Sequence, residues 1–291
     1  MVLVVVVPFQ NEEVHLPQAL RSLDRQSRRP DLLVLADDGS ADGSSQIAAE
    51  FAAERAYAKV LQRPRRPPER DRLIAGGAVR AFQWAVDHID IEWDVVAKVD
   101  ADVALPPVTL AMVEERFEAD SELGMTGPCM SEVTQGGEVT RCPSRPEQVM
   151  GMATFYRRAC YEHITPLPAL TGWDTVDTFR AQMRGWKTES FVVPGGDPVH
   201  LRPRGSYDGI LRGFRRWGTS AYVYGSHPLH VALFGARVMR THRPYVVGGV
   251  NYLLGWARAT LWAEPRAEEE LREEVRRDQI NRIRRRFRAR Q

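Results

Sequence analysis

A largely apolar run, Trp93 to Val99, ends in two carboxylates one residue apart, Asp100 and Asp102. No other stretch restricts the fold as much. A short apolar run before a polar break reads as a strand buried on both faces, the kind a parallel sheet makes. In open α/β sheets, ligands bind beyond the carboxyl ends of the strands. Two carboxylates at that place cannot both stay charged at close range without compensation. A divalent cation supplies it, because hard cations take carboxylate oxygen. Read alone, Asp-x-Asp fits equally a loop with two solvated aspartates, or a cap on the helix after Pro106-Pro107.

The rest of the chain supplies context. Val2 to Val7 is a β-branched run stopped by Pro8, hence a core strand. A helix is predicted from Glu12 or Glu13 to Arg25, with Val14, Leu16, Ala19, Leu20 and Leu23 at helical spacing and Asn11 as cap. Leu32 to Ala36 is a second strand, ending in Asp37-Asp38-Gly39-Ser40. A second helix runs from Asp42 to Arg55, and a third strand covers Lys59 to Gln62. Alternating strand and helix is the signature of a parallel doubly wound sheet. The proline- and arginine-rich stretch Arg63 to Arg72 reads as a loop. Helices are expected from Gly76-Gly77 to His88 and from Leu110 to Ala119. Gly124 to Val133 reads as a strand, with Glu138 to Arg141 as its hairpin partner. Met150 to Phe155 reads as a flexible apolar segment. A helix follows Thr171 to Asp177, runs to Arg184 and is closed by Gly185, and Lys187 to Val193 is the last strand.

Beyond Pro203 the pattern changes. Apolar residues gather at Tyr222 to Met239 and at Tyr245 to Ala263. The second cluster has the length of a bilayer span, but it contains Asn251, Arg258 and three glycines. An interfacial or packed helix is expected in its place. Glu264 to Gln291 is a charged helix with Glu268/Arg272 and Glu273/Arg277 at i,i+4. It ends in the cluster Arg282, Arg284, Arg285, Arg286, Arg288 and Arg290. The expected division is a catalytic unit over 1–203 and a helical C-terminal extension over 204–291.

A net charge of +2 over 291 residues excludes an obvious polyanion binder, and no recognition motif surrounds the basic residues, so no nucleic-acid partner is expected. Cys129, Cys142 and Cys160 are odd in number and form no Cys-x-x-Cys pair. That argues against a disulfide framework or a zinc site, and for a reducing compartment. Met1 to Val7 lacks the basic flank and cleavage site of a secretory signal, so it reads as a buried strand and the expected location is cytoplasmic.

Several segments together resemble glycosyltransferase family 2, a GT-A family. Val4 to Glu13 is similar to its first strand and Pro-x-x-Asn-Glu turn. Leu33 to Ser44 is close to its Asp-Asp-Gly-Ser-x-Asp signature. Gly77 to Gln83 resembles its Gly-Lys-x-x-Ala-Leu-Asn helix start, with Ala for Lys and Gln for Asn. Asp100-Ala101-Asp102 fits its metal motif. The resemblance implies an α/β GT-A fold: a mixed, mostly parallel sheet flanked by helices. It implies inverting transfer from a nucleotide-diphospho-sugar, UDP-sugar favoured, to a hydroxyl of a glycan or lipid-linked acceptor. Mg²⁺ or Mn²⁺ would sit on Asp100, Asp102 and His200, His200 being weighed against a structural histidine. Asp37 or Asp38 would accept a hydrogen bond from the base. Pro8, Asn11, Glu12, Gly77, Arg80 and Asp100 would complete the donor site.

In the family the general base is the aspartate of a Glu-Asp pair before a helix ending in Gly-Tyr or Gly-Trp. Counting back from Gly185-Trp186 gives Asp174, with Trp173 in place of the glutamate, and Asp177 as second choice. The alternative for both is a helix cap and a first-turn acid. Gly213 to Trp217 resembles the Gln-x-x-Arg-Trp motif of processive synthases, with Gly for Gln. It adds Arg216 for the diphosphate and Trp217 for an acceptor sugar, but single-sugar transfer is the expectation. His200 to Arg202, Arg216 to Gly218 and Gly225 to Leu229 are similar to a subset of the family. Aromatic helices beside an arginine-rich end suit peripheral contact with the inner face of the cell membrane, weighed against ordinary core helices plus a solvated tail. The competing reading is an inactive GT-A scaffold or nucleotide-binding protein. A nucleotidyltransferase would need a glycine-rich phosphate loop after the first strand, where this chain has Pro8 to Glu13.

Overall fold

The computed structural model describes residues 1–64, 74–134, 136–203 and 207–288, with side chains to Arg285. Residues 65–72 of the expected loop, the start of the C-terminal extension at 204–206, and Arg290 lie outside the described residues, as do the side chains of Arg286 and Arg288.

In chain order the elements are β1 (Leu3–Phe9), α1 (Leu16–Asp24), β2 (Leu32–Asp37), α2 (Ser44–Ala53), β3 (Ala58–Gln62), α3 (Gly77–Val86), β4 (Val95–Val99), β5 (Val103–Ala104) and α4 (Thr109–Ala119). Then follow β6 (Leu123–Pro128), β7 (Ser131–Val133), β8 (Val139–Arg141), β9 (Ala153–Arg157), α5 (Arg158–Ile164), α6 (Trp173–Met183), β10 (Lys187–Phe191) and β11 (Val199–His200). The chain ends in α7 (Ile210–Val223), α8 (Pro228–Thr241), α9 (Tyr245–Leu261) and α10 (Glu269–Arg288).

Among the described residues, seven strands form one sheet in the order β10-β6-β9-β4-β1-β2-β3. All neighbouring pairs are parallel except those made by β9, which runs antiparallel between β4 and β6. The Val-rich strand β1 sits in the middle with every residue buried, because helices cover both faces and leave no place for a polar alternation. Leu3, Val5 and Val7 pack on one face with Leu16, Leu20 and Leu23 of α1. Val4 and Val6 pack on the other with Phe82 and Ala85 of α3. Each such aliphatic side chain contributes roughly 1.5–3 kcal/mol relative to exposure.

Several expectations need correction. Helix α1 begins at Leu16, not at Glu12 or Glu13, because residues 12–15 form a separate turn in which His15 and Leu16 donate to Glu12 O. Asn11 does not cap it. Val14 is exposed. Gly124 to Val133 is two strands: β6 stays in the large sheet, while β7 pairs with β8 in a second, four-stranded sheet, β5-β11-β7-β8. The segment read as flexible contains β9, and β11 follows β10. The cluster Tyr222 to Met239 spans a helix break, since Gly225 takes φ +74° and Pro228 opens α8, capped by His227 Nδ1 accepting from Leu229 N at 3.2 Å.

All three cysteines are free and buried. Burial pushes the Cys160 thiol up to about 12, helped by the charge of Asp177. A thiol reagent such as DTNB is expected to label none of them in the native protein and all three in denaturant. Labelling of Cys160 before unfolding would contradict this packing.

Candidate active site

Strand β1 pairs with β4 only as far as Val6 opposite Lys98, but with β2 as far as Phe9 opposite Asp37. Past Val6 the sheet therefore opens on the β4 side. Pro8, which has no N–H to give, fits where a neighbour strand is missing. The opening lies at the topological switch point, with β2 on one side of β1 and β4 on the other. A cavity of about 1230 Å³ starts there, at Pro8, Phe9, Gln10 and Glu12, and continues past Asp100, Asp102, Asp174 and His200 to Arg216 and Trp217. Small-ligand pockets hold roughly 300–1,000 Å³, so there is room for two substrates.

The short second sheet builds the acidic cluster. Strand β5 follows Asp102 directly and pairs antiparallel with β11, placing His200 opposite Val103, and Leu201 N donates to Asp102 O at 2.8 Å. Ligand atoms of Asp100, Asp102 and His200 lie within 4.8 Å of one another. His200 Nδ1 faces Arg202 O, which directs Nε2 to Asp102 Oδ2 at 3.2 Å. Arg202 Nε is 2.6 Å from the same oxygen, and its Nη2 donates to Glu12 Oε1. Burial pushes Asp102 up, but His200 and Arg202 outweigh it and hold the carboxyl below the usual carboxylate range. The pull of Asp102 likewise outweighs burial at His200, whose pKa is raised. Burial pushes Glu12 up to about 7, against its bond to Arg202. Glu12 Oε2 has no hydrogen-bond partner among the described residues. Carboxylate oxygen suits Mg²⁺ or Mn²⁺, and an imidazole held through its Nδ1 presents Nε2 as a further donor. The donor set fits a divalent ion.

A second chain of contacts ties this cluster to Asp174. Lys98 is 2% exposed inside β4 and is the one lysine buried among the described residues. Its Nζ pairs with Asp100, donates to Gly151 O at 2.7 Å and lies 5.0 Å from the centre of the Trp173 ring. Gly151 N in turn faces Asp174 Oδ2 at 3.4 Å. The backbone of one residue, its carbonyl on one side and its amide on the other, thus joins the two acidic sites. Asp174 sits in the first turn of α6, after Gly172 at φ +76°, and also accepts from Thr175 N at 3.0 Å. Gly172 is the N-cap of α6, so Asp174 is not the cap but a first-turn acid that lines the cavity.

Asp177 does not reach the cavity. It is fully buried, with Tyr156 Oη donating to Oδ2 and Oδ1 without a hydrogen-bond partner among the described residues. Burial raises its pKa well above the ordinary carboxylate value, only partly offset by Tyr156. The sign follows. The folded state keeps a proton that the unfolded chain loses above pH 3.8, so stability falls as pH rises from there through the folded pKa. Asp177→Asn removes that proton and is expected to lose less stability between acid and neutral pH than the native chain, with transfer retained. Denaturant midpoints against pH, with an activity assay, check this. A folded but inactive Asp177→Asn would make Asp177 the base.

The remaining predicted residues divide. Asp37 uses its carboxylate within the turn, accepting from Gly39 N at 3.1 Å, Ser40 N at 2.8 Å and Ser45 Oγ. Asp38 is paired with Arg63 at 2.9 Å. Asn11 Oδ1 accepts from Ala41 N at 2.7 Å, and its own N–H donates to Ser40 Oγ, so it ties two turns together. Gly77 starts α3 and its neighbour Ala78 lines the cavity, while Arg80 bonds back to Ala75 O and is not among the lining residues. Arg216 and Trp217 both line the cavity. Arg216 is buried and paired with Asp208 at 2.6 Å, and Trp217 packs edge-on against Phe214 and His242. Lys98, Gly151 and Arg202 were not assigned from the sequence. A lysine inside an apolar strand, in a chain whose other basic residues are nearly all arginine, was the available signal.

Comparison with known proteins settles the family. The model of glycosyl transferase family 2 matches residues 4–166, more than half of the 291. The chain belongs to glycosyl transferase family 2. It is a glycosyltransferase with the GT-A fold. The mannosyltransferase PcManGT from Pyrobaculum calidifontis, solved with GDP-Man and Mn²⁺, superposes at a TM-score of 0.58 and 17% identity, over 90% of this chain and 88% of that one. S. aureus TarS 1-349 gives 0.56 at 16%, over 90% of this chain and 73% of that one. GalNAc-T7, solved with UDP, GalNAc and Mn²⁺, gives 0.56 at 15%, over 84% and 52%. At these identities the likeness shows the fold alone. No curated protein matches the chain by sequence.

Proposed function

We propose that this family 2 enzyme is a metal-dependent inverting glycosyltransferase, moving one sugar from a nucleotide-diphospho-sugar to an acceptor hydroxyl. The observation that carries the reading is the joining of Asp100, Asp102 and His200 to Asp174, through Lys98 and Gly151, along one cavity. Asp100, Asp102 and His200 would hold Mg²⁺ or Mn²⁺, which acts as a Lewis acid on the diphosphate that leaves. GDP-Man, UDP and Mn²⁺ in the neighbours' structures support a nucleotide-bearing donor and a divalent ion.

The protein's own groups have distinct tasks. Asp37 or Asp38 is the acceptor for the base. Glu12, with one oxygen unpartnered, faces a donor hydroxyl. Arg216 carries charge toward the diphosphate. Asp174 takes the proton of the attacking acceptor hydroxyl, and Trp217 offers an aromatic face to the acceptor sugar. UDP-sugars are the favoured donors. The extension from residue 204 onward provides the acceptor side, because α7 brings Arg216 and Trp217 to the cavity.

The test incubates the protein and Mn²⁺ with UDP-, GDP- and dTDP-sugars and measures nucleoside diphosphate release, with EDTA as control. Release from one donor class, stopped by EDTA, is expected. Release unaffected by EDTA would overturn metal dependence. No release from any donor, together with no nucleotide binding, would favour the inactive scaffold.

A further inference from the structure

Helix α9 is built inside out. Its buried residues are Gly248, Gly249, Asn251, Tyr252, Gly255 and Ala259. The glycines let it lie directly on α7 and α8. A Cβ on Gly255 would stand 2.1 Å from Arg215 O, and one on Gly249 would stand 2.7 Å from Gly235 O. Asn251 accepts from Arg215 Nε at 2.7 Å. The large aliphatic residues point the other way: Val246 is 63% exposed, Val247 49%, Val250 40%, Leu254 52% and Leu261 82%. Positions 246, 250, 254, 257 and 261 share one helical face. A water-facing helix normally shows the reverse arrangement.

The charge around this face is mostly positive. Between Gly209 and Ala263 there is no Asp or Glu, but there are seven arginines, 212, 215, 216, 237, 240, 243 and 258, of which Arg212 and Arg216 pair with Asp208, and Glu138 acts on Arg243. Arg240, Arg243 and Arg258 are exposed. Tyr245 and Trp262 stand at the two ends of α9, both exposed, and such side chains favour the level of lipid headgroups. No described helix is long and apolar enough to cross a membrane.

We propose that the exposed face of α9 lies in the plane of an anionic phospholipid surface, with its aliphatic residues in the acyl boundary and the arginines on lipid phosphates. A second copy of this chain is a poorer occupant, because it would set the exposed Arg240, Arg243 and Arg258 of one copy against those of the other. The cavity reaches Leu233, Arg237 and Arg240 on the adjoining α8, so an acceptor carried by a lipid has a lined path toward Asp174. This last point rests on the proposed transfer, but the docking itself does not.

Sedimentation with vesicles tests it, using phosphatidylcholine alone and phosphatidylcholine mixed with phosphatidylglycerol. The native protein is expected to pellet with the mixed vesicles and to be released by salt. Val250→Glu/Leu254→Glu, whose sites are exposed and outside the cavity, should lower the bound fraction by about tenfold or more. Nucleotide binding, read separately, should stay unchanged. Failure of the native protein to bind the mixed vesicles, or equal binding by the double variant, would overturn the proposal. So would a concentration-dependent dimer abolished by the same substitutions.

Discussion

Asp102→Asn is expected to abolish metal-dependent nucleotide binding and, with it, sugar transfer. Asn keeps the shape of Asp but not the charge. The side chain is buried and faces the His200 imidazole and the Arg202 guanidinium. Removing its charge takes away one of the proposed metal ligands and leaves Arg202 with Glu12 as its remaining carboxylate in this network. Loss of even an outer partner of a metal costs about 10–100-fold, so loss of a ligand is expected to reach at least the upper end. Activity and nucleotide titrations in Mn²⁺ read the effect. A melting curve checks folding, since a buried ion pair with one member removed is destabilised. A folded Asp102→Asn that still bound nucleotide in a metal-dependent way would show that another set holds the ion.

Asp174→Asn is expected to fail by a different route. A positioned general base is worth about 10²–10⁴-fold, and the loss should fall on kcat while donor binding stays near native. Gly151→Ala gives an independent handle. A Cβ there would stand 2.7 Å from Asp174 Cβ, so Asp174 must shift from its present place. The alanine should lower kcat with little effect on nucleotide affinity. If Asp174→Asn transferred sugar at the native rate, the base would lie elsewhere in the cavity.

Local patterns carried much of this into the sequence. The unbroken Val run of β1, the Asp-Asp-Gly-Ser turn and the Asp-x-Asp after β4 each have a period or turn chemistry that a short window holds. The same is true of α6, with its first-turn acid and Gly185 at φ +85° after its end. What was not legible depends on distant partners. β9 is buried throughout Ala153 to Tyr156 and has no alternation. It is a strand because β4 and β6 each offer it an open edge. Strands β5 and β11 are two residues each, too short for any periodicity, yet their pairing sets His200 beside Asp102. Gly151 carries no side-chain chemistry at all. Its role comes from a carbonyl and an amide aimed in two directions. For α9, the apolar pattern was visible, but which face pointed outward depended on the glycines meeting α7 and α8.

In the proposed mechanism the acidic cluster makes donor binding depend on a divalent ion. Calorimetric titration of UDP, GDP and dTDP into the protein, each with Mn²⁺ and with EDTA, reads that dependence. Binding of one nucleotide in Mn²⁺, its loss in EDTA, and no binding by Asp102→Asn are expected. Equal affinity in Mn²⁺ and EDTA, or no binding of any of the three, would contradict the mechanism and return Asp100 and Asp102 to a structural role beside Lys98 and Arg202.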